Sequence, residues 1–229
     1  MKSNETDHVD IATSGKRIGL FGGSFDPPHL AHVALVHAGL ELGLDEVWVI
    51  PALPVHRVLS GNADGATRIR WLQQVFGNDA RVKVLDWEVS QRHPTPMVDT
   101  LRRFNREYPE TVPWLMLGSD AWQGLPSWRE YPEHQSLCNV ALFARRSMVD
   151  GHGDIGRKMK AAVAHDGWQQ VSLSAWSDCQ SAGHWCDLEA LLPDISATQI
   201  REQAYLGLSL TDLVPKVLQS EIKKRYMKK

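Results

Sequence analysis

Short apolar runs alternate with longer stretches of helical spacing along most of this 229-residue chain. The short runs are typical of buried strands, because each is only a few residues long and is bounded by glycine, proline or polar residues. The longer stretches place apolar residues three and four positions apart, as in a helix with one buried face. This order predicts an α/β fold: a Rossmann-like, doubly wound parallel sheet with helices on both faces and right-handed crossovers.

The elements can be bounded from the same patterns. The predicted strands cover residues 16–21, 47–53, 82–89, 114–117, 140–144 and 168–173. The predicted helices cover residues 30–44, 67–76, 97–108, 198–206 and 215–226. Apart from the candidate strand at residues 168–173, residues 150–192 show little periodicity, so we expect long loops there. We expect residues 1–15 to be a flexible N-terminal extension and residues 16–229 to form a single domain.

The composition excludes several classes of protein. Hydrophobic residues make up 43% of the chain and the formal net charge is −2, so no overall basic field would attract nucleic acid. No apolar run approaches the length of a membrane span, and residues 1–15 lack the apolar core of a signal peptide. Three cysteines are too few for a disulfide framework. We therefore expect a cytoplasmic protein with neither a nucleic acid nor a membrane as partner.

One segment, GGSFDPPHLAH at residues 22–32, combines several features of a phosphate-binding site. Gly22 and Gly23 follow the first predicted strand, where glycine lets the backbone approach a ligand and present its amides. The helix that follows directs its free N–H groups to the same place. His29 and His32 share a face of its first turn, and we interpret Asp26 as the residue that caps this helix. The segment therefore predicts binding of a phosphorylated ligand.

This segment resembles the signature of a nucleotidyltransferase superfamily, in which His/Thr-x-Gly-His begins a helix. It has neither the lysine of a Walker A loop nor the spacing of a dinucleotide fingerprint. A second stretch, ISATQIR at residues 195–201, resembles the Ile-Ser-x-Thr-x-Ile-Arg signature of the same superfamily. The resemblance implies that these two distant stretches bind one triphosphate together, with the C-terminal helices completing the ATP site.

Four further matches narrow the resemblance to the bacterial nicotinate-mononucleotide adenylyltransferases. They are PVHR at residues 54–57, PTPMVDT at residues 94–100, GSD at residues 118–120 and LPSW at residues 125–128. The resemblance implies transfer of AMP from ATP to nicotinate mononucleotide, which gives deamido-NAD and pyrophosphate in NAD biosynthesis. It implies small-molecule substrates, ATP and a pyridine mononucleotide, with Mg²⁺ accompanying ATP and no metal site built by the protein. A homo-oligomer is a possible assembly.

The resemblance also assigns roles to residues, each matched to a motif. The catalytic residues would be His29, His32 and Arg201. The residues that bind ATP would be Gly22, Gly23, Ser24, Phe25, His29, His32, Arg57, Ser196, Thr198 and Arg201. The residues that bind the acceptor would be Met97, Asp120, Trp128 and Arg129. For Trp128, packing in the core and stacking on the pyridine ring are equally good interpretations.

The chain departs from the family pattern at Ala31, at Pro96 and Met97, and at Arg129, which follows Trp128. Ala31 replaces the glycine of His-x-Gly-His, so we expect its methyl group to crowd the nucleotide. Pro96 and Met97 replace a Tyr-Thr pair in a loop whose amides receive the pyridine carboxylate, and proline has no amide hydrogen. Two alternatives therefore stay open. The acceptor could be another mononucleotide, such as nicotinamide mononucleotide, or the protein could be a nucleotide-binding module with impaired catalysis.

Overall fold

A parallel sheet forms the centre of the protein in the computed structural model, which describes residues 15–53, 63–91, 93–143, 167–188, 190 and 192–227. The described strands pair in the order β3-β2-β1-β4-β5-β7-β6, and every pairing is parallel. Their bounds are β1 Ile18–Gly23, β2 Glu46–Pro51, β3 Val82–Val84, β4 Trp114–Gly118, β5 Asn139–Phe143, β6 Gln169–Gln170 and β7 His184–Asp187.

Helices connect most of these strands. Their bounds are α1 Leu30–Glu41, α2 Gly65–Phe76, α3 Met97–Glu107, α4 Ser119–Gly124, α5 His134–Leu137, α6 Ala197–Tyr205 and α7 Gln219–Tyr226. Short 3-10 turns cover Leu125–Ser127, Trp176–Asp178 and Lys216–Leu218. Within the described ranges, none of the helices combines the length and the apolarity that a membrane crossing requires.

Alternation of side chains along the strands produces an apolar layer on each face of the sheet. In β2, Val47 and Val49 enter one layer, whereas Trp48 and Ile50 enter the other. Helices α1 and α2 cover the first layer, and α3 and α4 cover the second. The predicted doubly wound sheet with helices on both faces is therefore confirmed.

Some predicted boundaries were wrong. The third predicted strand is reduced to three residues, because the chain leaves the sheet after Val84. The candidate strand at residues 168–173 is two exposed residues at the sheet edge. Strand β7 lies inside the stretch that we expected to be loops, and its buried Trp185 and Cys186 pack into the two layers. Periodicity failed here because a four-residue strand is too short to show one.

The C-terminal helices form a third apolar cluster at one end of the sheet. The cluster contains Ile200 of α6, Leu218 just before α7 and Ile222 of α7. All three are fully buried and pack in one cluster with Trp71 of α2. Leu30, the first residue of α1, packs on this cluster and donates its amide to the carbonyl of Leu213 over 3.0 Å. The C-terminal helices are thereby attached to the beginning of α1, which follows the first motif.

A crevice opens between β1 and β4 at their carboxyl ends. The strand order reverses at this point, and ligands of doubly wound sheets bind at such reversals. The two strands pair only through Gly19 and Leu20 of β1, so they separate before β1 reaches its glycines. A turn leads from β1 into α1, and α4 begins at Ser119 directly after β4, so both helices start beyond the carboxyl ends of these strands.

Candidate active site

The first motif leaves β1 through a tight turn held by a buried aromatic ring. Phe25 has a left-handed φ of 47°, which residues other than glycine seldom adopt. Its ring is fully buried, 5.2 Å from the ring of Phe21 and 4.8 Å from that of His32. Burial of this ring offsets the backbone strain. The adjacent Ser24 is exposed, so the turn presents backbone to the crevice.

The two imidazoles of the motif stack on each other at the start of α1. Their ring centroids are 3.5 Å apart, with the planes inclined by 20°. His29 is the N-cap of the helix, and its backbone amide donates to Nδ1 of His32 over 3.2 Å. Because Nδ1 of His32 accepts this bond, a neutral His32 carries its proton on Nε2. The predicted shared face of His29 and His32 is confirmed.

Asp26 does not cap α1, so that interpretation was wrong. The side chain turns away from the helix and is 5% exposed. Its Oδ1 accepts bonds from the amide of Ala63, over 3.1 Å, and from the hydroxyl of Tyr226. The chain needs three more residues to enter the helix, so His29 takes the cap position. Asp26 instead connects the first motif to two other parts of the chain.

The second motif lies against the first. Ser196 is the N-cap of α6, and its Oγ accepts the amide of Gln199 over 3.2 Å. Arg201 reaches out of the first turns of α6 and donates from Nη1 to the backbone carbonyl of Asp26 over 2.5 Å. Its Nη2 donates to Oγ1 of Thr198 over 3.1 Å. The structure therefore brings the two motifs together, as the resemblance implied.

Two of the predicted acceptor residues lie at the crevice. Met97 is the first residue of α3, and its methyl group lies so close to Gly22 that a Cβ there would overlap with it. Asp120 is exposed in the first turn of α4. Gly118, at the end of β4, has open space where a Cβ would project. Met97 therefore lies beside the end of β1, and Asp120 follows the end of β4.

The other two acceptor residues lie on the segment after α4. Trp128 is half-buried and packs edge-on against the buried ring of His134, with 5.8 Å between centroids. Arg129 is exposed and pairs with Glu130 over 3.2 Å. Arg102 of α3 holds this segment through Glu130 and Glu133, over 2.6 and 2.5 Å. Packing thus occupies part of the Trp128 ring.

Two further predictions concern residues around the nucleotide. Arg57, with the rest of residues 54–57, lies outside the described residues, as does most of the N-terminal extension. The methyl group of Ala31 packs against the C-terminal cluster while the residue stays partly exposed. Ala31 therefore helps to attach α6 and α7 to the first turn of α1.

Sequence reasoning missed Arg68 of α2. Its guanidinium is buried, and Nη1 donates to the backbone carbonyls of Ser24 and Ala52, each over 2.7 Å. Burial lowers the pKa of Arg68, although the nearby carboxylate of Asp26 opposes this effect. Arg68 fixes the turn of the first motif to the end of β2. Its helical spacing from Trp71 and Leu72, on the buried face of α2, was the signal that could have revealed it.

Sequence reasoning also missed Glu88, which precedes the segment that leads into α3. The residue is 2% exposed, and its Oε1 accepts the hydroxyl of Thr100 over 2.7 Å. Burial raises the pKa of Glu88 to about 7, although the bond from Thr100 opposes the rise. The pair closes the segment that contains Pro96 and Met97. No local pattern distinguishes Glu88 from an exposed glutamate, so no sequence signal could have revealed it.

Comparison with known proteins places this geometry in a family. A profile of the cytidylyltransferase-like family matches residues 20–203. A protein of Albidiferax ferrireducens named as a probable nicotinate-nucleotide adenylyltransferase is 40% identical over 201 residues, which cover 87% of this chain and 91% of the relative. A Chromobacterium violaceum protein with the same name is 32% identical over 188 residues, or 81% and 85% of the two chains.

A solved structure shares the fold at lower sequence identity. The nicotinic acid mononucleotide adenylyltransferase of Plasmodium falciparum, complexed with NaAD, superposes with a TM-score of 0.66 and 19% identity, over 91% of this chain and 95% of the other. The fold, both motifs and the curated relatives agree with one another. The chain belongs to the cytidylyltransferase-like family and, within it, to the nicotinate-nucleotide adenylyltransferases.

Proposed function

We propose that this protein transfers AMP from ATP to nicotinate mononucleotide, giving deamido-NAD and pyrophosphate, a step of NAD biosynthesis. The relatives named above support this activity. The observation that carries the proposal is the contact of Arg201 with Asp26, beside the stacked imidazoles of His29 and His32. This contact gathers a guanidinium and two imidazoles from distant parts of the chain at one helix N-terminus, where a polyphosphate binds well.

The reaction requires no nucleophile from the protein. A phosphate oxygen of the acceptor forms a bond to the α-phosphorus of ATP, while the bond from this phosphorus to the oxygen that bridges to the β-phosphate breaks. Pyrophosphate leaves with the electron pair of that bond. Catalysis then consists of positioning and of stabilising the negative charge that spreads over the phosphate oxygens. The Nε2–H of His32 is the donor that we assign to the α-phosphate.

The ATP site would use backbone and side-chain donors from both motifs. Gly22, Gly23, Ser24 and Phe25 supply backbone and shape at the turn, and His29 and His32 bind phosphate oxygens. Ser196, Thr198 and Arg201 bind the β- and γ-phosphates from the opposite side, where α6 directs its free amides. Arg57 would contribute a further positive charge.

The acceptor would occupy the open space between the walls of the crevice. Asp120 is placed to accept a ribose hydroxyl, since it is exposed in the first turn of α4. Trp128 would stack on the pyridine ring with the face that His134 leaves uncovered. Met97 supplies the amide that Pro96 lacks, and Arg129 adds positive charge near an anionic acceptor.

Mg²⁺ would enter with ATP, held through phosphate oxygens and water. Among the described residues there is no group of three or more His, Cys, Asp or Glu side chains arranged to hold a metal ion. The protein's part would be to orient the phosphates that carry the ion. When bound, Mg²⁺ supplies further neutralisation of phosphate charge.

A side-by-side acceptor assay tests the proposal. The purified protein is incubated with ATP and Mg²⁺ plus either nicotinate or nicotinamide mononucleotide, and the dinucleotide and pyrophosphate are quantified. We expect kcat/KM for the acid to exceed that for the amide by at least roughly tenfold, as expected when a charged group has its own donors. A preference for the amide would indicate that the acceptor is nicotinamide mononucleotide, the alternative that Pro96 suggests. Binding of ATP without turnover on either acceptor would instead indicate the impaired nucleotide-binding module.

A further inference from the structure

The last described helix ends in a side chain that reaches the first motif. Tyr226 is the final residue of α7, and its ring packs on the C-terminal cluster, 6.5 Å from the ring of Trp71. The hydroxyl of Tyr226 donates a hydrogen bond to Oδ1 of Asp26. Burial raises the pKa of Tyr226 well above its usual value, and the bond to Asp26 raises it further. The hydroxyl therefore stays a donor throughout the physiological pH range.

The carboxyl group of Asp26 depends on this donor. Asp26 is 5% exposed, and a buried carboxylate is costly unless hydrogen bonds replace the water it has lost. Its Oδ1 receives two donors, the amide of Ala63 and the hydroxyl of Tyr226. Removal of the hydroxyl would leave this oxygen with one of the two, so Asp26 would shift toward water or another donor.

A shift of Asp26 would reach the phosphate site along the backbone. The carbonyl of Asp26 is the acceptor that orients the guanidinium of Arg201. Asp26 also lies between the left-handed Phe25 and the N-cap residue His29. A shift of Asp26 would therefore displace the turn and the start of α1. The side chain of Asp26 faces α7, whereas its carbonyl faces α6. One residue thus links both C-terminal helices to the phosphate-binding turn.

We propose that Tyr226 is a positioning residue for the ATP site: its hydroxyl holds Asp26, and Asp26 in turn holds Arg201 and the phosphate-binding turn. This inference rests on the proposed use of ATP, but not on the identity of the acceptor. It gives the C-terminal helix α7 a role in nucleotide affinity, although α7 lies outside both motifs. The ring of Tyr226 packs in the cluster, so removal of the hydroxyl alone separates positioning from packing.

The test compares Tyr226→Phe with a matched control. Tyr226→Phe removes the hydroxyl and keeps the ring, whereas Tyr205→Phe makes the same change at a tyrosine of α6 that is half exposed. Binding of an ATP analogue with a non-cleavable α–β bridge and Mg²⁺ is measured by calorimetry without acceptor. We expect Tyr226→Phe to raise Kd for the analogue roughly tenfold, as for loss of one bond to a charged group, and to raise KM for ATP but not for the acceptor. Tyr205→Phe should change neither.

A double-mutant cycle supplies the second measurement. In an Asp26→Ala background, which lacks the oxygen that accepts this bond, the effect of Tyr226→Phe on Kd should shrink to less than about twofold, since coupled residues are not additive. Equal effects in both backgrounds, or a wild-type Kd in Tyr226→Phe, would overturn the proposal. If Tyr226→Phe does not fold, Asp26→Ala alone must weaken binding of the analogue, and an unchanged Kd would also overturn the proposal. Because no acceptor is present, a protein that binds the analogue but forms no dinucleotide would contradict the proposed function without affecting this test.

Discussion

The guanidinium of Arg201 donates to the backbone carbonyl of Asp26 over 2.5 Å, although 175 residues separate the two. A second donor nitrogen of Arg201 binds Thr198, so the planar group is fixed at two points. Arginine has five N–H donors in a rigid fork. The bonds to Asp26 and Thr198 therefore leave further N–H groups that can bind a phosphate. An arginine anchored in this way is ready to receive a phosphate without losing further side-chain freedom.

Arg201→Lys should therefore impair ATP use more than a charge-conserving change normally does. A lysine ammonium cannot bind the Asp26 carbonyl and a phosphate with the same geometry. We expect kcat/KM for ATP to fall at least roughly 30-fold, with about 2 kcal/mol lost from charge-assisted bonds. Arg70→Lys is the matched control, because Arg70 is exposed and pairs with Glu221 at the surface. Steady-state kinetics with varied ATP measures both variants, and equal values for the two would contradict this role.

His32→Ala should remove turnover while preserving the fold. The imidazole of His32 packs at the motif and presents Nε2, so alanine removes a donor to the charge that develops on phosphate. We expect kcat to fall by at least roughly 100-fold, the range for loss of such a donor. His37→Ala is the control, since His37 is exposed on the same helix. The two should share a circular-dichroism spectrum, and near-normal turnover by His32→Ala would remove the assignment.

Gly118→Val should block the crevice without destabilising the protein. Gly118 has an extended backbone, with φ −76° and ψ 165°, which valine adopts readily. Among the described residues, no heavy atom outside the two chain neighbours lies within 4 Å of a Cβ at this position, so the new side chain would project into open space. We expect KM for the acceptor to rise at least roughly tenfold, because one or two methyl groups in a bound ligand's place cost about 1–3 kcal/mol. Thermal unfolding should shift by less than about 2 °C.

Gly118→Ala provides a graded version of the same test. One methyl group occupies less of the crevice than an isopropyl group, so the effect on KM should be smaller and in the same direction. If valine leaves KM unchanged, the open space beside Gly118 is not where the acceptor binds. The measurement thus locates the acceptor independently of Asp120 and Trp128.

Glu88→Gln should change how stability depends on pH. The folded protein keeps Glu88 protonated up to about pH 7, whereas the unfolded chain releases that proton near the ordinary value of 4.5. Between these values the folded state binds more protons, so stability falls as pH rises. The decline amounts to about 3 kcal/mol at most, and glutamine, which is always neutral, should remove this part of it. Urea unfolding between about pH 5 and pH 8 measures the slope.

A control isolates the burial of Glu88 from its charge. Glu110 is exposed, so Glu110→Gln should leave the slope of the wild-type protein unchanged. If stability depended on pH in Glu88→Gln as it does in the wild-type protein, the carboxyl group of Glu88 would ionise normally despite its burial. The Thr100 hydroxyl would then face a charged partner at neutral pH.

Much of the fold was predictable because its signals are local. Strand β2 is a continuous apolar run and α1 has helical spacing, and both signals can be read directly from the sequence. The stacked histidines were predictable for the same reason, since residues three apart share a helix face. The failures fall where local signals stop. Strand β7 is too short to show a period, and Asp26 looked like a helix cap because the cap position depends on where the backbone turns.

By itself, the sequence determined the fold class, most of the strands and longer helices, the two motifs and the chemistry that their donors can perform. It could not determine which side chains from distant positions meet, because such contacts depend on the packing of whole elements rather than on spacing. Only the tertiary structure decided that Asp26 accepts bonds from Arg201 and Tyr226, that Arg68 lies buried beneath the turn, and that Glu88 is buried and bonded to Thr100. Each of these is a polar group whose partners folding must supply, since water no longer can.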